Sequence, residues 1–259
     1  MKRKKLEEIL KKIPPKAWDK IISKEPEYLY FKDLMPFYHF GAFAIIMVVS
    51  GLNAYQLKGK AQEKYFPILK DILLLNENKK DYEALRNTFL SFYEKERSYK
   101  GKLKRVNNFF DSNLAKTMWK QENTHYFKRY FKDIWEELAF TMNSKKERKT
   151  IAFAMKCLGV GLIMKGCKDF DFDGIPIPVD SRIKHFATRI GLENVDDNKI
   201  ITFFEDILKN VPNINMIHLD SLIWQIAKLD HQELDKYFEE LGCKMLSKEL
   251  KSIFSCLNT

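Results

Sequence analysis

The chain has 259 residues, 45% hydrophobic and 31% charged, a globular mixture that excludes a disordered tail and predicts one large domain or two small ones. It contains only 10 glycines, and no proline occurs between Ile68 and Ile175. Both facts favour an all-α fold, because β folds use these residues in their turns. The net charge of +10 indicates a polyanionic partner without naming one.

The hydrophobic pattern predicts a succession of helices that begins at residues 5–13 and first stops at Pro14-Pro15. The apolar run at 40–49 has the length of a buried core helix rather than that of a membrane span. Further helices are predicted near 59–75, 81–96, in several pieces between 103 and 142, and near 144–164, 181–190, 198–209, 216–229, 232–241 and 247–256.

The cysteine spacing argues against a cysteine-held metal site, and the N-terminal residues argue against a signal peptide. Cys157, Cys167, Cys243 and Cys256 form no C-x-x-C pair, which argues against a cysteine-held zinc or iron–sulfur site and predicts reduced thiols. The first residues, MKRKKLEEILKKIPP, are basic but lack the apolar region of a signal peptide.

An acidic loop between two predicted helices fits the calcium-binding template D-x-D-x-D-G. Asp169, Asp171 and Asp173 supply the three aspartates, and Asp180 falls at position twelve. The template requires a glutamate at position twelve, and Pro176 at position eight lacks an N–H group. A calcium-binding protein therefore stands as an alternative interpretation of this loop.

The same segment is also typical of an extended lead into a helix. Pro176 and Pro178 keep the residues before them out of the α region. Asp180 then stands as the N-cap of the helix predicted at 181–190, and Gly191 is placed to end that helix.

A lysine near the start of the long helix predicted at 144–164 is a candidate nucleophile. Ser144 and Glu147 have the spacing of a capping box, which would start the helix there. Lys149 follows in a cluster of cations close to the positive end of the helix dipole, where a neutral amine is favoured and phosphate is attracted. Lys156, two turns later on the same helical face, is the rival nucleophile.

Three motifs in this order resemble the AGOG family, the archaeal 8-oxoguanine glycosylase/lyases of the helix-hairpin-helix DNA glycosylase superfamily. They are SGLNAYQL at 50–57, KTIAF at 149–153 with PVD at 178–180, and LDSLIW at 219–224. The resemblance implies two helical subdomains with the active-site cleft between them. Residues 57–165 would form one, and residues 1–56 with 166–259 would form the other, which would carry Asp180, Asp220 and Trp224.

The resemblance also implies the activity, namely removal of 8-oxoguanine from DNA followed by strand cleavage through β-elimination. Lys149 would form the Schiff base with the sugar, and Asp180 would be the carboxylate that assists it. No metal or organic cofactor is implied. The expected partner is DNA containing 8-oxoguanine, and the protein is expected to be a cytoplasmic monomer that binds no membrane.

Five further residues match positions that bind the damaged base in this family. Gln56 would contact the base, and Phe153 and Trp224 would stack on it. Asp220 and the backbone of Pro178 would bind its polar edge.

One departure from the superfamily pattern precedes the candidate nucleophile. Many superfamily members carry a Gly-x-Gly turn just before the lysine, but residues 142–148 contain no glycine. Gly159-Val-Gly161 comes after Lys149 and is interpreted as glycine at a helix end or in helix packing. A noncatalytic helical nucleic-acid-binding module, supported by the net charge alone, is a second alternative.

Overall fold

The computed structural model describes residues 2–254, and every regular element within that range is helical, as the composition predicted. The helices are α1 (Lys2–Lys12), α2 (Pro15–Ser23), α3 (Pro26–Phe31), α4 (Phe40–Asn53), α5 (Phe66–Leu75), α6 (Tyr82–Tyr93), α7 (Tyr99–Asp111), α8 (Asn113–Trp119), α9 (His125–Arg129), α10 (Phe131–Thr141), α11 (Lys149–Met164), α12 (Ser181–Arg189), α13 (Asp197–Asn210), α14 (Met216–Ile226), α15 (His231–Glu240) and α16 (Met245–Lys251). A 3₁₀ turn at Lys32–Leu34 and a π-helical turn at Ala61–Tyr65 complete the set.

The helices form two compact units. The central unit spans Pro26–Phe172 and contains α3 to α11, whereas the terminal unit combines the chain up to Glu25 with the chain from Asp173 onward. These bounds differ from the 57–165 expected for a central subdomain. The physical reason is that α3 and α4 both pack against α11, so they belong with the middle of the chain.

The core of the central unit is built around α4, whose residues are all buried, as predicted for the apolar run. Its main neighbour is α11. A Cβ atom at Gly51 would lie 2.6 Å from the Cα atom of Ala154, and one at Gly161 would lie 3.1 Å from Cγ of Met47. Glycine therefore lets the two helices touch. Of the two roles that the sequence left open for Gly161, helix end or packing, the structure shows packing. In the described part of the chain, no helix combines the length and apolar character needed to cross a membrane.

Replacing Gly51 with alanine is expected to destabilise the protein by about 1–3 kcal/mol, because the new methyl group overpacks a backbone contact. Urea unfolding followed by circular dichroism measures the loss. Gly161→Ala is the matched control, since there the new methyl group meets a flexible methionine side chain, which can move. Equal losses in the two variants would contradict this account of the α4–α11 contact.

In the terminal unit, α14 packs against both α2 and α12. Its C-terminal end is held by Arg189 of α12, whose Nη1 donates to the carbonyl oxygens of Ile226, Ala227 and Leu229 at 3.3, 3.0 and 2.9 Å. These bonds satisfy carbonyl groups that a helix end leaves without partners. The Arg189 guanidinium also lies 3.8 Å from the ring centroid of Phe254.

The described cysteines, Cys157, Cys167 and Cys243, are present as thiols. Cys256, the fourth cysteine and the last residue of the helix predicted at 247–256, lies outside the described residues.

Candidate active site

Lys149 is the first residue of α11 and is exposed. The predicted capping box is wrong, because α11 does not begin near Ser144. The Ser144 N–H group bonds to the carbonyl of Ala139 at 2.9 Å, and its hydroxyl contacts the Lys145 carbonyl at 3.4 Å. Ser144 is thus still tied to the end of α10 and cannot cap the next helix. The later start places Lys149 at the mouth of α11 instead of one turn inside it.

The hairpin that joins α10 to α11 is fixed by side chains instead of glycines. The Trp135 indole Nε1 donates to the Lys146 carbonyl at 2.9 Å, and Nζ of Lys146 lies 4.7 Å from the centroid of that ring. Asn143 adopts the left-handed conformation with φ of 46°, which asparagine tolerates better than most residues. The last hairpin residue, Arg148, caps α11 without any side-chain hydrogen bond.

Lys149 is one of the residues that line a cavity of about 350 Å³. The cavity is lined by Leu52, Arg105, Met142, Asn143, Ser144, Arg148, Lys149, Thr150 and Ile151. Arg105 is fixed there, because its Nη1 donates to the Leu52 carbonyl at 2.7 Å. Three cations and a helix N-terminus at one cavity favour an anionic ligand, and the exposed primary amine among them can react with an electrophile.

Phe153 and Lys156 follow Lys149 on the same side of α11. Phe153, one turn along, is half-buried. Lys156 is only 1% exposed, and its Nζ lies 3.3 Å from Oε1 of Glu27, which is also 1% exposed. A buried lysine that faces a buried carboxylate is held as an ion pair. This arrangement favours Lys149 over Lys156 as the amine that an external substrate can reach.

Gln56 is exposed just beyond the end of α4 and has a left-handed backbone, with φ of 44°. Its Oε1 accepts a hydrogen bond from the Ser98 hydroxyl, and Ser98 is itself left-handed, with φ of 54°. The neighbouring Tyr55 ring lies 4.3 Å from the Arg105 guanidinium. A non-glycine residue at positive φ needs support from its surroundings, which these contacts supply.

The loop that carries Gln56 is anchored further by an ion pair between the buried Lys102 and the half-buried Glu96. Oε2 of Glu96 accepts from the Lys58 N–H group and from Nζ of Lys102, both at 3.2 Å. The Lys102 side chain is fully buried, and this burial lowers its pKa while Glu96 acts in the opposite direction.

In the terminal unit, Asp180 caps α12 as the sequence predicted. Its Oδ1 accepts from the N–H groups of Arg182 and Ile183 at 2.8 and 2.9 Å. Gly191, with φ of 88°, lies just past the helix and donates to the Thr188 carbonyl at 2.9 Å, which confirms the predicted end. Both cap bonds use the same carboxylate oxygen, so the cap fixes the orientation of Asp180.

The other predicted residues of the terminal unit lie close to this cap or on α14. Pro178 is buried in the irregular segment that leads into α12. Asp220 is 3% exposed on α14, and Trp224, one turn later, is half-buried. The guanidinium of Arg182 lies 3.8 Å from the centroid of the Trp224 ring, and its Nη1 donates to the Trp224 carbonyl at 2.6 Å.

The predicted residues thus form two sets. Lys149, Phe153 and Gln56 belong to the central unit, whereas Asp180, Pro178, Asp220 and Trp224 belong to the terminal unit.

Sequence reasoning missed the residues that support these sets. Arg182 follows Asp180 by two positions in the 175–182 segment, and this closeness could have identified it as a supporting residue. Nothing in the sequence pointed to Glu27 or Ser98, because each is far along the chain from the residue it contacts.

The acidic loop does not support the calcium interpretation. The Asp169 carboxylate accepts a hydrogen bond from Lys128, which lowers the Asp169 pKa, and Asp171 forms an ion pair with Lys132 at 2.7 Å. Within residues 2–254, no group of three or more His, Cys, Asp or Glu side chains could hold a metal ion.

The sequence and the fold were compared with those of known proteins. The sequence profile of the AGOG family, described as N-glycosylase/DNA lyase, matches residues 7–254. An N-glycosylase/DNA lyase of Methanococcus maripaludis is 31% identical over 175 residues, which are 61% of this chain and 64% of that protein. One from Thermococcus kodakarensis is 25% identical over 189 residues, 71% of this chain and 67% of that protein.

The fold is also that of a solved structure. The chain superposes on the 8-oxoguanine DNA glycosylase Pa-AGOG of Pyrobaculum aerophilum, solved in complex with 8-oxoguanosine, with a TM-score of 0.73. The superposition covers 96% of each chain at 18% identity. The sequence alignments are shorter, and they span about two thirds of the length of the two curated relatives.

Proposed function

Because the chain belongs to the AGOG family of N-glycosylase/DNA lyases, we propose that it removes 8-oxoguanine from DNA and then cleaves the strand at the resulting sugar. The observation that carries the proposal is the exposed Lys149 amine in a cavity with Arg105 and Arg148. The names of the relatives support the same activity. The partner would be DNA containing 8-oxoguanine, on which the protein acts as a monomer in the cytoplasm.

Base recognition would begin when the damaged nucleotide leaves the duplex, because its glycosidic bond cannot be attacked inside the stack. Phe153 and Trp224 are half-buried aromatic side chains, and each can offer one flat face to a purine. The buried Asp220 carboxylate suits the N–H donors on the guanine edge, and the backbone of Pro178 can add a further polar contact. The Gln56 amide would bind the base from the loop that Ser98 and Arg105 support.

The chemistry would then use one amine and one carboxylate. As the bond between C1′ and the base breaks, positive charge develops on the sugar, and the Asp180 carboxylate stabilises it. The Lys149 amine attacks C1′ with its nitrogen lone pair, and the base leaves with the electron pair of the broken bond and takes up a proton. The attached nitrogen loses a proton, the C1′–O4′ bond then breaks, O4′ takes up a proton, and an iminium ion remains between Lys149 and C1′. Loss of a C2′ proton then expels the 3′ phosphate. The iminium is the electron sink, so no step needs a metal or an organic cofactor.

The test is borohydride trapping across a panel of duplexes with different damaged bases, run with and without EDTA. We expect a covalent protein–DNA adduct with the 8-oxoguanine duplex, little with undamaged guanine, and no effect of EDTA. Salt-sensitive binding without an adduct or strand cleavage on any duplex would instead establish the noncatalytic module.

A further inference from the structure

We infer that Arg182 is a positioning residue for base recognition, because it joins the Asp180 cap to the Trp224 ring. The inference rests on the proposed function, in which Trp224 stacks on the damaged base. It assigns a role to a residue that lies outside the seven predicted site residues.

The side chain of Arg182 is attached to Trp224 at two points. Its guanidinium carbon lies 3.8 Å from the centroid of the indole, and Nη1 donates to the Trp224 carbonyl at 2.6 Å. The side chain therefore contacts the ring and the backbone of the same residue. A planar guanidinium in this position restricts the rotation of the indole and occupies one of its two faces, which leaves the other face for a purine.

The backbone of Arg182 is bonded to the Asp180 carboxylate. The N–H group of Arg182 donates to Oδ1 of Asp180 at 2.8 Å, so the backbone of this residue belongs to the cap while its side chain belongs to the aromatic wall. Arg182 therefore links the Asp180 carboxylate, which would stabilise the cationic sugar, to the Trp224 ring, which would stack on the base. Through this one residue, the distance and angle between the two groups are restricted. A preorganised site requires such support for its contacting groups.

The same unit contains a second arginine, Arg189, which makes similar contacts and has no place in the proposed site. Arg189 also stacks on an aromatic ring at 3.8 Å and also donates to carbonyls at the C-terminal end of α14. Removing it should loosen the same helix without touching Asp180 or Trp224. Arg189→Gln therefore separates a loss of general stability from a loss of positioning.

The experiment compares two duplexes under single-turnover conditions. One contains 8-oxoguanine, and the other contains a preformed abasic site, which has no base to stack. For each protein, the ratio of the trapping rate on 8-oxoguanine to that on the abasic site is measured. We expect Arg182→Gln to lower this ratio about tenfold, as the loss of a desolvated cation–π contact implies. Arg182→Lys keeps the positive charge but loses the planar guanidinium. Its ratio should lie between that of Arg182→Gln and that of the wild type.

Several results would overturn the inference. An unchanged ratio in Arg182→Gln, with both rates reduced alike, would assign Arg182 to the DNA backbone or to folding. An equal fall in Arg189→Gln would attribute the effect to α14 stability, which thermal melts of all variants record. A raised ratio would mean that Arg182 covers the face that the base uses. A wild type inert on both duplexes would overturn the proposed function itself and this inference with it.

Discussion

Replacement of Lys149 by glutamine is expected to abolish the borohydride-trapped adduct and to lower strand cleavage by about a thousandfold or more, since the amide cannot form a Schiff base. The substitution keeps most of the side-chain length and lies at an exposed position, so the fold should remain intact. Gel analysis of borohydride-treated reactions on the 8-oxoguanine duplex measures the adduct directly.

The matched control is Lys165→Gln, because Lys165 is exposed at the opposite end of the same helix. This variant should retain the wild-type adduct yield. If Lys149→Gln still gives the adduct, the nucleophile lies elsewhere, and Lys156 would be examined next. A Lys156 variant must also carry Glu27→Gln, because removal of one partner would leave the other charge buried and destabilise the fold.

Replacement of Asp180 by asparagine is expected to slow base excision by about a hundredfold to a thousandfold, because a neutral amide cannot offset the positive charge that develops on the sugar. The melting temperature should change by only about 2 °C, because asparagine caps helices nearly as well as aspartate. Single-turnover release of 8-oxoguanine and a thermal melt check the two halves of this prediction.

Asp196→Asn supplies the control for capping alone. Asp196 caps α13 in the same unit and accepts from the Lys199 N–H group at 2.9 Å. This variant should show the same small change in melting temperature with wild-type excision. If Asp180→Asn retained full excision, the carboxylate would have only its structural role at the start of α12.

The fold could be predicted where local signals were strong. The buried run of α4, the Asp180 cap and the end of α12 at Gly191 each have a short-range cause, and the structure confirms all three. The helix α2 was missed, because Pro14-Pro15 was interpreted only as a stop, and α3 was not predicted either. Pro15 is in fact the first residue of α2, a position where proline's missing N–H group costs nothing.

The candidate site divides in the same way. The seven candidate site residues were found because they lie in sequence motifs that match the family. The individual roles of these residues stay predictions. The contacts that hold these residues in place join segments that are distant in the chain, such as Glu27 with Lys156 and Ser98 with Gln56. The hydrophobic periodicity of the sequence does not reveal such contacts. The start of α11 was misplaced for a related reason, because Ser144 is bound by α10 through Ala139.

The helix that presents Lys149 starts at an arginine, a poor capping residue, with no side-chain hydrogen bond at that end. A serine or aspartate there would stabilise the unbound protein by about 1 kcal/mol, and an aspartate would also place a carboxylate where, under the proposed function, a phosphate group would bind. Arg148 offers no side-chain acceptor to the first N–H groups of α11. Under the proposed function, a phosphate group of the bound DNA would accept from these N–H groups, so binding would stabilise this end of the helix.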